Sequence, residues 1–194
     1  MTMTDRQSHA NGDPKLGSPS FEQRIYAPQS IAAIVAELAE QQHDAEEVLE
    51  GTHLAPAQLE IHTTKISYKQ LDLVIRNALR LSREPGFALR AGLRMHVTAY
   101  GMYGYGLLSS GSHSEAREFA AKYIRIVGPF CDFTVSNGAT TIAVTFKPMH
   151  WPDPTNDIHR FAVEFALAAH LTATRDWVGP QFAFSRVLLD YAEP

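Results

Sequence analysis

The sequence predicts an α+β fold in which a mainly antiparallel sheet is covered by several amphipathic helices within a single domain. Three observations lead there. Boxes of the form S-x-x-E/Q open stretches of helical spacing, Ser67 with Gln70 and Ser112 with Glu115 being the clearest. Phe133 and Val135 alternate with polar neighbours, Asn137-Gly138 follows, and Ile142, Val144 and Phe146 alternate on the return, the pattern of a hairpin. Residues 87–110 are rich in Gly, Tyr, Leu and Met with little 3.6-residue period. They read as extended strands packed against other backbone at Gly92, Gly101, Gly104 and Gly106.

Taken in order, residues 1–20 are rich in Ser, Gly, Asn, Asp and Pro and read as a disordered N-terminal arm, so the fold begins at about residue 21. Ile31, Ile34, Val35 and Leu38 follow i, i+3, i+4, i+7 spacing with Ser30 placed to cap them. A short helix follows, opened by Asp44 and Glu47, anchored by Val48 and Leu49, and closed by Gly51 in the left-handed conformation. From Ser67 a longer helix carries Leu71, Val74, Ile75, Ala78 and Leu79 on one face, and Pro85-Gly86 stop the chain beyond it.

After the expected strands of 87–110, Ser112 caps a helix bearing Ala116, Phe119, Ala120, Tyr123, Ile124 and Val127, which Gly128-Pro129 ends. The hairpin comes next. A long helix starts near Asn156, buries Ile158, Phe161, Phe165 and Ala169, and ends before Gly179-Pro180. Residues 182–191 read as a last strand.

Composition narrows the chemistry. At 194 residues the chain suits one domain with a filled core. No apolar run approaches the roughly 20 residues of a membrane span. The N-terminus lacks the apolar core of a secretory signal, so the expected compartment is the cytoplasm. Cys131 is the single cysteine, which excludes an internal disulfide and a cysteine-built metal site; it reads as a small core hydrophobe. Formal net charge is −4, from 17 basic and 21 acidic residues, with no basic stripe to neutralise phosphates.

The nine histidines fall into no metal-binding spacing, so no metal and no cofactor are expected. Gly101-Met-Tyr-Gly104-Tyr-Gly106 has the wrong order for a phosphate-binding glycine loop, and its aromatics would crowd a pyrophosphate. No catalytic set of acid, base and nucleophile is recognisable, so no catalytic residue is assigned. Glu164, set among Phe161, Val163 and Phe165, is either a buried acid or part of a solvated helix face.

The remaining interest lies in Tyr100, Tyr103 and Tyr105, whose rings and hydroxyls suit a ligand wall as well as core packing. Arg90 and Arg94, four residues apart, would form a fork for a carboxylate or phosphate if turned inward. Arg94, Tyr100, Tyr103, Tyr105 and Trp151 are therefore the candidate ligand-binding residues.

Several stretches together resemble a known family: Gly51-Thr52-x-Leu54, Ile66-Ser67-Tyr68-x-Gln70, Ile75 through Ser82, Leu89-Arg90-Ala91-Gly92, and Ala99 through Ser110 followed by the Glu115-Ala116 helix. Over residues 25–194 the chain is similar to the N-terminal regulatory domain of AraC-type (arabinose-operon regulator) bacterial transcription factors. One departure is Gly111-Ser112-His113 where the family commonly has Ser-Pro-Thr, which leaves Ser112 able to cap.

The resemblance implies a domain over 21–194 that binds a small-molecule effector, forms a homodimer, and reaches DNA only through a helix-turn-helix domain not contained in this chain. The other reading is a ligand-free interaction module that dimerises with or captures full-length regulators; a filled core behind Tyr100–Tyr105 would favour it.

Overall fold

The structure is a computed structural model that describes residues 21–82, 84–128, 130–149 and 155–191. The expected N-terminal arm lies outside the described residues. Among these residues the fold is helical, with seven α-helices and one hairpin.

Helix α1 (Gln29–Glu40) buries Ile31, Ile34 and Leu38 as its spacing predicts. It starts at Pro28, whose carbonyl accepts from the Ala32 N–H at 2.9 Å, so Ser30 sits inside the first turn instead of capping it. In α2 (Ala45–Val48) Asp44 holds the cap position without a side-chain bond, and Gly51 takes the left-handed conformation at φ 76°.

Helix α3 (Tyr68–Leu81) carries the full box: Ser67 Oγ accepts from the Gln70 N–H at 3.3 Å, and Gln70 Oε1 accepts from the Ser67 N–H at 3.1 Å. Its buried amides reach further. Gln70 Nε2 donates to the Thr52 carbonyl, and Asn77 Nδ2 donates to those of Val48 and Glu50, satisfying carbonyls left open at and just beyond the end of α2.

Residues 87–110 are helical, not extended. They form α4 (Phe87–Leu93), a 3-10 turn (Val97–Tyr100) and α5 (Met102–Leu108). Gly92, Gly104 and Gly106 do mark close approach, but between helical segments, whereas a Cβ on Gly101 would meet nothing within 4 Å. A Cβ on Gly92 would collide with the Phe165 carbonyl and stand 2.8 Å from the Ala168 Cβ; one on Gly104 would collide with the Val97 carbonyl, and one on Gly106 with the Phe119 ring. A helix of seven residues spans two turns, too few for an apolar period to declare itself.

Helix α6 (His113–Tyr123) opens at Ser112, which accepts from the Glu115 N–H at 3.2 Å. The hairpin then pairs β1 (Cys131–Asn137) with β2 (Ile142–Pro148), Phe133 facing Phe146. Asn137 stays in the ladder and the Gly138 N–H donates to the Thr141 carbonyl at 2.8 Å, so the turn centres on Ala139-Thr140, just past the Asn-Gly pair.

The 23-residue α7 (Asn156–Val178) is capped by Thr155 and runs through the core. Phe161 and Phe165 pack with Phe130, and Phe161 also meets Phe87 of α4. Cys131 is buried and its thiol donates to the Ala162 carbonyl, while burial pushes its pKa up to about 12, as befits a core residue.

The sheet among the described residues is this two-stranded hairpin, and residues 182–191 add no strand to it. They lie along α7 and make side-chain contacts in place of ladder hydrogen bonds: Phe184 stacks on His170, and Tyr191 reaches Glu164. The α+β class holds, but the mainly antiparallel sheet is corrected to one two-stranded hairpin beside seven helices among the described residues.

His170 faces that hairpin, ringed by Phe146 at 5.4 Å, Phe133 at 6.2 Å and Phe184 at 6.2 Å. Burial lowers its pKa to about 4. The unfolded chain, with an imidazole near 6.5, therefore takes up this proton first. Stability is intact above pH 6.5 and falls as pH drops toward 4, by about 1.4 kcal/mol per unit. Urea unfolding between pH 7 and 5 should show that slope, and His170→Gln should flatten it; an unchanged slope in the variant would assign the pH dependence elsewhere.

Candidate functional site

Arg90 and Arg94 do form a fork, and its occupant is internal. Arg90 Nε donates to Glu37 Oε1 at 2.5 Å and Arg94 Nε to Glu37 Oε2 at 3.0 Å, with Glu37 only 3% exposed on α1. Each arginine holds a second carboxylate, Arg90 that of Glu84 at 2.6 Å and Arg94 that of Glu40 at 2.5 Å. The Glu40 hydrogen bond is the main reason that the Arg94 pKa rises above its ordinary value.

Tyr100 and Tyr103 come together, their rings 5.9 Å apart and edge-on, and Tyr103 continues into Phe119 and Tyr123 of α6. Tyr103 is 8% exposed, and burial raises both phenol pKa values. Tyr105 is 62% exposed, beside Met102 at 84%. Trp151 lies outside the described residues. Of the sequence candidates, then, two tyrosines share a packed aromatic cluster, one faces solvent, and Arg94 is bound to α1.

Helix α7 pins the chain that leads to this cluster. Thr172 Oγ1 donates to the Leu93 carbonyl at 3.1 Å, and Asp176 accepts from the Val97 N–H at 2.8 Å and meets His96 Nδ1 at 3.0 Å. These contacts fix where α4 ends and where the 3-10 turn begins.

An open cleft lies elsewhere, between the end of α3, the Glu84-Pro85-Gly86 turn, the start of α4 and the first turns of α7, with a volume of about 250 Å³. Leu79, Phe87 and Phe161 supply apolar wall, and Glu84, Asp157, Arg160 and Glu164 supply charge. Gly86, at φ 74°, makes the bend that brings Phe87 against Phe161, ring centres 5.9 Å apart. Glu164 Oε1 accepts from Arg160 Nε at 2.7 Å, with the Tyr191 hydroxyl at 3.5 Å. Burial pushes the Tyr191 phenol up to about 12.

Sequence reasoning singled out Glu164 but missed Glu84 and Phe87, because a strand reading of 87–110 separated them from α7. The local signal was the Pro85-Gly86 bend. A larger depression of about 410 Å³, along Glu46, Glu47, Glu50 and Arg80, is an ion-paired surface, Arg80 meeting Glu50 at 3.1 Å. Among the described residues no His, Cys, Asp and Glu are grouped as a metal site would need, and no helix is long and apolar enough to cross a membrane.

Comparison with known proteins points to regulators of transcription. The chain is 31% identical over 81 residues to the ornithine utilization regulator of Pseudomonas aeruginosa, covering 42% of this chain and 24% of that protein. It is 24% identical over 157 residues to uncharacterized HTH-type transcriptional regulators of Mycobacterium bovis and Mycobacterium tuberculosis, covering 80% of this chain and 44% of each. The chain thus spans less than half the length of these relatives.

By class it is the regulatory, ligand-binding type of domain found in transcription regulators. It belongs to the family described as the arabinose-binding domain of AraC transcription regulators, N-terminal, which matches residues 43–194.

Proposed function

We propose that this domain senses a small-molecule effector and biases an attached helix-turn-helix domain between two states. The observation that carries the reading is the cleft shared by α3, α4 and α7, in a chain whose family is named for ligand binding. Apolar walls with a few convergent polar groups are what a ligand site requires. The family description names arabinose and the Pseudomonas relative's name points to ornithine, so both belong in the first screen.

The test is a thermal-shift screen of the chain against sugars, amino acids, fatty acids and nucleotides. A ligand present at a hundred times its Kd adds about 2.7 kcal/mol, which raises Tm by about 5–10 °C in a domain of this size. A screen in which no compound moves Tm would count against sensing by this chain.

Self-association belongs to the same reading. Met102, Tyr105 and Leu108 recur every third residue along α5 and stay exposed, as does Ile126 on the 3-10 turn (Ile124–Val127) that follows α6 and packs near α5. An apolar stripe of this kind suits a two-fold contact with a second copy. Sedimentation equilibrium should show a dimer that Tyr105→Glu dissociates. A monomer at high micromolar concentration would overturn this part.

A further inference from the structure

Glu164 is 8% exposed and lines the cleft, yet only one of its oxygens is engaged. Arg160 and Tyr191 both approach Oε1, and Oε2 has no hydrogen-bond partner among the described residues. That second oxygen is not sealed away from solvent, so it is free to accept from a cationic group entering the cleft. Two more carboxylates, Glu84 and Asp157, stand at the same cleft; its lining guanidinium is Arg160, and Arg90 bonds Glu84 from outside it, which leaves three carboxylates to two guanidinium groups. Arg160 is itself occupied, bonded to Glu164 and lying 5.6 Å from the Tyr191 ring.

The apolar side of the cleft limits the cation's shape. Phe87, Phe161 and Leu79 offer wall for a short methylene chain, and aromatic faces tolerate an ammonium group as well. A cleft of about 250 Å³ lies below the roughly 300–1,000 Å³ of sites for drug-sized ligands, which matches the size of an amino acid or short diamine.

We infer that this cleft binds a small aliphatic amine, its ammonium group held by Glu164 Oε2 and by the carboxylates of Glu84 and Asp157, and its methylenes laid on Phe87 and Phe161. This rests on the effector-sensing reading and specifies the ligand class for it. Glu84 gives the occupant a second consequence, because it also bonds Arg90, whose other partner is Glu37 of α1.

The experiment is isothermal titration of the chain with 1,4-diaminobutane and with L-ornithine, beside L-norvaline, which keeps the ornithine backbone but lacks the terminal amine, and succinate as an anion. The expected result is binding of an amine, at least tenfold weaker binding of norvaline, none of succinate, and at least tenfold weakening by Glu164→Gln. Glu84→Gln, at an exposed position, gives the same readout should Glu164→Gln fail to fold. Preference for diaminobutane or for ornithine tells whether the α-carboxylate is read. Affinity unchanged in both variants would overturn the inference. Binding of succinate or arabinose with no binding of diaminobutane, ornithine or norvaline would overturn the ligand class and leave sensing standing, whereas silence from these and from the whole thermal screen would overturn both.

Discussion

Replacing Arg90 and Arg94 together by alanine is expected to destabilise the domain by about 3–5 kcal/mol, a drop in Tm on the order of 10 °C. The arginines are partly exposed, so their own hydration changes little. The cost comes from Glu37, left charged and almost fully enclosed with neither partner. The remedy distinguishes this cause from lost packing. Adding Glu37→Met to the double variant removes the stranded charge and should recover most of the loss, since buried ion networks replaced by apolar groups of similar size are often neutral or stabilising. Urea unfolding of the three proteins checks it. A double variant within 1 kcal/mol of the parent would mean that Glu37 finds water or another donor.

Gly92→Val should be comparably damaging through a different force. Its Cβ would enter the Phe165 carbonyl, which is backbone of a 23-residue helix and cannot swing aside as a side chain would. Overpacking of this kind costs about 1–3 kcal/mol where the core yields, and the upper end or beyond is expected where helices α4 and α7 must separate. Gly101→Ala is the contrast. No atom lies within 4 Å of its Cβ position, so only the backbone is penalised: φ 56° with ψ −130° is a conformation that residues with side chains rarely adopt, at a cost of about 1–3 kcal/mol. Thermal melts of the two variants would rank them; a Gly92 variant milder than Gly101→Ala would contradict the packing shown between α4 and α7.

The sequence-legible parts share a physical character. Ser67 with Gln70, Ser112 with Glu115, and the long apolar period from Ile158 to Ala169 are signals contained within a few turns, and α3, α6 and α7 appear where they predict. Residues 87–110 were misread because a glycine that lets backbones approach looks the same in a strand as in a short helix. Residues 182–191 are short and rich in apolar and aromatic residues, as a strand would be, but a strand also needs an edge to pair with, and local composition cannot supply one.

The candidate site divides the same way. Arg90 and Arg94 reveal a fork through their spacing, while its carboxylate comes from 53 residues upstream of Arg90 and nothing local to either arginine announces it. Asp157, Arg160 and Glu164 share one face of α7 and were within reach of helical spacing. Glu84 and Phe87 joined them only through the fold.

Helix α7, about 34 Å long by its rise per residue, meets the cleft in its first turns, the hairpin near its middle and the α4–α5 connection toward its end. Three regions distant in sequence are therefore mounted on one rod. Amide protons along its buried side should exchange with solvent as a single slow group, released only by global opening, while those of residues 182–191 exchange early. A disturbance at any of the three regions should shorten the protection of that entire group.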